Sequence, residues 1–135
     1  MRAFQVQRMR RWLAAGVVLL AACGDSTTAP GREPEIVNTT DNFQYQITEI
    51  QDFSGTQVYS WENTGTTATV NQSAAVSAGS ATLVLRDANG VEVYSRSLAD
   101  DGTFSSDAGT AGTWSVRVTY SGAEATVNFR LDKAN

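Results

Sequence analysis

Hydrophobic and polar residues alternate with period two through most of the chain from about Ile36 onward, the signature of strands with one buried and one solvated face. Phe43, Tyr45 and Ile47 share one side of a strand, with Gln44, Gln46 and Thr48 on the other. Tyr59 and Trp61 alternate with Val58, Ser60 and Glu62, and Ala68 and Val70 continue the pattern more weakly. Leu83 and Leu85 face Val91 and Val93 across Asp87-Ala88-Asn89-Gly90, a tetrad suited to a hairpin because Asn and Gly tolerate positive φ. Trp114, Val116, Val118 and Tyr120 form one more stripe, and after Ser121-Gly122 the stripe Ala125, Val127, Phe129 and Leu131 follows. No window carries an i, i+3, i+4, i+7 stripe, so no interior helix is expected. About seven short strands separated by Gly, Asn, Asp and Ser clusters predict an all-β, single antiparallel immunoglobulin-like β-sandwich over residues 36–135.

The first 35 residues have another texture. Arg2, Arg8, Arg10 and Arg11 precede the first acid, Asp25, and an apolar run from Trp12 to Ala22 follows them. A basic flank, a short apolar run and small residues make up a secretory signal, which predicts a signal helix at the N-terminus. The run holds 11 residues, against about 20 for a helix that crosses a bilayer. Gly24 to Glu35 contains both prolines of the chain, Pro30 and Pro34, among Ser, Thr and Gly, and reads as a flexible tether over 23–35. Its twelve residues reach at most ~40 Å at about 3.3–3.6 Å each.

Leu20-Ala21-Ala22-Cys23 resembles the lipobox of bacterial lipoproteins. The resemblance implies cleavage between Ala22 and Cys23, a diacylglyceryl group on the Cys23 thiol and an N-acyl chain on the new terminus. Several chains matter because one acyl chain gives only marginal binding, at about 0.8 kcal/mol per buried CH₂. The implied location is the bacterial cell envelope, lipid-anchored. Gly24 rather than Asp in the second mature position favours the outer membrane over the inner.

Ala78-Gly79, Leu83 to Gly90 and the later Ala111-Gly112-Thr113-Trp114-Ser115-Val116-Arg117-Val118 are similar to the bacterial pre-peptidase C-terminal type of domain. In that family the sandwich is a noncatalytic accessory or binding module.

Composition narrows the chemistry. The 135 residues include no histidine and one cysteine, so imidazole-based catalysis, an internal disulfide and a Cys-x-x-Cys pair are excluded. A chain beginning at Cys23 carries 6 basic and 14 acidic residues, a net of −8 rather than −4, which argues against nucleic acid as a partner. No carboxylate pair is marked by spacing for glycosidic chemistry, and no enzyme activity is expected.

Three sets of residues remain. Asp87, Asp100, Asp101 and Asp107 would supply oxygens for a calcium site at one end of the sandwich, although the competing reading is solvated turns whose Asp side chains cap backbone groups. Tyr94 lies out of phase with Val91 and Val93, which puts it on the wet face beside Arg96 as a contact for a glycan or an envelope protein. Trp61 and Trp114 would stack on sugars if exposed, but their phase places them in the core. The expected role is a membrane-anchored, noncatalytic binding or structural module without a cofactor beyond its lipid. The alternatives are a strand-accepting subunit of an envelope assembly and a carboxylate-based hydrolase.

Overall fold

The computed structural model describes residues 33–135. The expected signal, Cys23 and residues 23–32 of the tether lie outside the described residues.

Seven strands follow one another: β1 (Glu35–Thr39), β2 (Asn42–Asn63), β3 (Thr67–Gln72), β4 (Ala75–Arg86), β5 (Glu92–Ser97), β6 (Gly102–Ser105) and β7 (Gly112–Ala134). Every pairing among them is antiparallel, and the described residues contain no helix. β7 is the spine: β2 runs along one side of it, while β3 and then β4 run along the other. β1 extends the sheet beyond β2, β6 extends it beyond β3, and β5 beyond β4.

The all-β class is as the alternation predicts, but the strands are longer and fewer turns divide them. Ser121-Gly122 is not a hairpin turn; β7 passes through it for 23 residues. β2 likewise runs unbroken for 22 residues. Both bend sharply where they lie side by side. In β2 the pairing slips between Ile47 and Ile50, between Ile50 and Phe53, and between Phe53 and Gly55, with Glu49 (φ 56°) and Asp52 (φ 48°) in the left-handed region. Gly122 (φ 53°) and, across the ladder in β4, Gly79 (φ 68°) bend at the same level. Inserted residues bend a strand and raise its twist, so three neighbouring strands turn one corner together.

The corner doubles the sheet. The Asp41 N–H, in the turn before β2, donates to the Glu62 carbonyl near the end of that strand at 2.8 Å. One layer holds β1, the first half of β2, the second half of β7, β3 and β6. The other holds the second half of β2, the first half of β7, β4 and β5. The sandwich is therefore continuous through bent strands.

Between the layers lies an aromatic core. Trp61 and Trp114 face each other across β2 and β7, rings 5.9 Å apart and nearly perpendicular at 83°. Tyr45 stacks on Phe129 at 5.0 Å, and Phe43 packs beside Phe129 at 6.0 Å. Burial of such side chains contributes about 1.5–3 kcal/mol each, which lets a domain without disulfides hold together.

Candidate functional site

Tyr94 does not face solvent. The β4–β5 register slips beside the turn: Leu85 lies opposite Tyr94 and Arg86 opposite Glu92, so Val93 is the extra residue of a bulge. A bulge breaks the alternation locally, so Val93 (4%) and Tyr94 (8%) are both buried while Val91 is 57% exposed. The expected wet-face tyrosine is thus a core residue, and Val91 is the side chain turned outward. The Tyr94 hydroxyl donates to Gln72 Oε1 at 2.7 Å, and Gln72 Nε2 donates to the carbonyls of Ser97 (3.0 Å) and Asp100 (2.7 Å). Burial pushes the Tyr94 phenol up to about 12.

Arg96 is half-exposed, but its charge is engaged. Its guanidinium lies 3.8 Å from the centre of the Phe104 ring, and Nη1 is 3.4 Å from Asp100 Oδ2. The arginine occupies the face of Phe104 that a sugar would need.

The four aspartates of the candidate calcium site serve separate turns. Asp87 is 6% exposed. Its Oδ1 accepts the N–H groups of Asn89 (3.0 Å) and Val91 (2.9 Å), and its Oδ2 accepts that of Thr110 (2.9 Å). These backbone donors hold its carboxyl below the usual range, the Thr110 N–H most strongly. Asp101 Oδ1 accepts the Ala74 N–H at 2.9 Å, Asp100 pairs with Arg96, and the Asp107 N–H donates to the Val93 carbonyl at 2.8 Å. Among the described residues no three His, Cys, Asp or Glu side chains are grouped to hold a metal. Backbone capping, the competing reading, describes Asp87 and Asp101.

Trp61 and Trp114 are each 1% exposed, so neither offers a ring face to a ligand. The Trp114 indole N–H donates to the Thr110 carbonyl at 2.8 Å, whereas that of Trp61 is buried without a partner.

A polar network inside the layers has no counterpart in the sequence reading. The Tyr45 hydroxyl donates to Gln57 Oε1 at 2.6 Å, and Tyr59 reaches the same oxygen at 3.3 Å. With the Tyr45 proton so committed, Tyr120 is the donor in the 2.8 Å contact between the two hydroxyls. Burial raises the Tyr45 phenol far above its ordinary value and takes Tyr120 up to about 12. The signal for this network is Gln57, a lone amide at a core-parity position between Gly55 and Tyr59.

What the domain leaves open is an edge. Beyond Gln46, β2 pairs with β7 alone. Beside it the two layers part along a seam, where a shallow cleft of about 300 Å³ is lined by Asn38, Ser60, Trp61, Glu62 and Thr113 among others. Asn38 Nδ2 bridges the seam to the Ser60 carbonyl at 2.8 Å, and Glu62 Oε2 accepts the Thr113 hydroxyl at 2.7 Å. Together with the Asp41 N–H on the Glu62 carbonyl, the Asn38 contact covers this edge from Ser60 to Glu62. Compared with known proteins, the chain matches no family model, no curated protein and no solved structure.

Proposed function

We propose that this chain is a bacterial lipoprotein, held at the cell envelope by acyl chains on Cys23, whose β-domain acts through noncatalytic contacts. The observation that carries the anchoring is the run Leu20-Ala21-Ala22-Cys23 behind a basic flank and 11 apolar residues. Gly24 in the second mature position supports the outer membrane. The similarity of Leu83 to Gly90 and Ala111 to Val118 to pre-peptidase C-terminal domains supports an accessory role over a catalytic one.

Within the domain, the tryptophans and tyrosine considered for sugar stacking, Trp61, Trp114 and Tyr94, are buried, and three of the aspartates, Asp87, Asp100 and Asp101, are engaged in local contacts. The part of the β2 edge left open, at Thr56 and Val58, favours a second reading, a strand-accepting component of an envelope assembly. Proximity crosslinking on intact cells tests the contact role: a defined envelope protein or a copy of the chain itself is expected. Recovery of lipoprotein-processing machinery alone counts against it.

A further inference from the structure

We infer that Asn89 is a site of spontaneous deamidation, a reaction with water alone, and that Thr110 sets its rate by clasping the turn that carries it. The reaction needs neither the lipid anchor nor a partner.

The chemistry follows from two neighbours in sequence. Of the seven asparagines in the chain, Asn89 alone precedes a glycine. A side chain on the following residue would crowd that residue's nitrogen, and Gly90 has none. The Gly90 nitrogen, on losing its proton, attacks Asn89 Cγ. The new N–C bond closes a cyclic imide, the Cγ–Nδ2 bond breaks, and Nδ2 leaves as ammonia with the hydrogen that Gly90 gave up. Water then opens the imide at either carbonyl. The products are aspartate and isoaspartate, in which the main chain runs through the former side chain. Nothing is oxidised or reduced. Asn89 and Gly90 are both exposed, so water and hydroxide reach them.

The fold opposes each step. The Gly90 N–H, whose proton must be lost, donates to the Asp87 carbonyl at 2.9 Å. The departing nitrogen, Asn89 Nδ2, donates to Thr110 Oγ1 at 3.0 Å, which fixes the carboxamide against the connection between β6 and β7. The Asn89 N–H donates to Asp87 Oδ1 at 3.0 Å. A carboxylate therefore lies beside the turn, and its charge disfavours an anionic Gly90 nitrogen.

Thr110 is the clasp because it holds the turn at three points. Besides accepting Asn89 Nδ2, it donates its N–H to Asp87 Oδ2 at 2.9 Å, and its carbonyl accepts the Ala88 N–H at 3.2 Å. The same carbonyl accepts the indole N–H of the buried Trp114. The turn is thereby tied to the core, and Asn89 reacts when the clasp opens rather than at the rate of a free chain. The product cannot restore the turn. Asp87 and Val91 close it through the Asp87 N–H to the Val91 carbonyl and the Val91 N–H to Asp87 Oδ1, both at 2.9 Å. Isoaspartate lengthens the main chain between them by one carbon and sets a second carboxylate beside Asp87.

The test ages the full chain in mildly alkaline buffer and follows the tryptic peptide Asp87–Arg96, in which Asn89 is the sole asparagine, by mass spectrometry. Conversion of amide to acid is expected to run roughly tenfold or more faster in denaturing urea than in native buffer, the worth of the hydrogen bonds then released. Thr110→Val removes the hydroxyl contact and leaves both main-chain bonds in place. It should speed the native reaction about fivefold and leave the rate in urea unchanged. Thr110→Ser keeps a hydroxyl and should stay as slow as the parent chain. Equal rates for the parent chain in urea and in native buffer, an unchanged native rate in Thr110→Val, or faster conversion at another asparagine would each overturn the proposal.

Discussion

The Tyr94 hydroxyl gives its proton to Gln72 Oε1 at 2.7 Å, joining β5 to β3 through a pair that is buried on both sides. Tyr94→Phe leaves that amide oxygen without its donor, at a cost of about 1–2 kcal/mol. Urea denaturation of Tyr94→Phe, Gln72→Leu and the double variant should show strong coupling. Additive effects would mean the bond carries nothing.

High pH should weaken the domain. Tyr94 and Tyr120 each hold their protons to about 12 because they are buried. The unfolded phenols ionise near 10, so the folded form binds more protons above that value, and stability falls as pH rises from about 10 to 12. The stabilising contribution is fully present below pH 10. Denaturation midpoints measured across this window should drop, and less so for Tyr120→Phe.

The two tryptophans of the cross-strand pair should differ on conversion to phenylalanine. Trp114→Phe removes a hydrogen bond to the Thr110 carbonyl, whereas Trp61→Phe removes a buried N–H that has no partner. Trp61→Phe is therefore expected to be the milder by about 1 kcal/mol. Equal losses in thermal or urea denaturation would show that packing alone sets both.

At the corner, Gly79→Ala and Gly122→Ala should separate clearly. A Cβ on Gly79 would collide with the Gly122 carbonyl oxygen, while one on Gly122 meets nothing within 4 Å. Gly122→Ala incurs only the left-handed backbone penalty of about 1–2 kcal/mol. Gly79→Ala adds a backbone clash and should lose roughly 3 kcal/mol or fail to fold. Soluble yield and urea midpoints check the order.

For the anchor, Cys23→Ala should abolish incorporation of labelled palmitate and move the protein out of the detergent phase. Unchanged partitioning would refute the lipobox reading.

Much of the core was legible because period two is a direct consequence of the pleat. Phe43, Tyr45, Trp61, Leu83, Val116, Val127 and Leu131 are all buried as their phase requires. The pattern failed where an extra residue enters a strand. Ile47, Ile50 and Phe53 are buried at steps of three, since bulges intervene between them, and the alternation reads as a break there. The same effect misplaced Tyr94 and Val91, one bulge away from the hairpin turn. β1 and β6 were hidden for another reason: they are short edge strands with few buried side chains. Gln57 marks a polar group at a core position, but its partners Tyr45 and Tyr59, and the contact of Tyr45 with Tyr120, depend on which strands become neighbours and were not legible.

The strands that turn the corner also decide how the domain must fail. β2 and β7 contribute half of their length to each layer, so neither layer can detach while the other stays intact. Loss of the domain is therefore expected to be all-or-none, with no half-open sandwich along the way. Its assembly must bring Asp41 to Glu62 and close long chain segments before most of the core exists, which places it among slow-folding β-proteins.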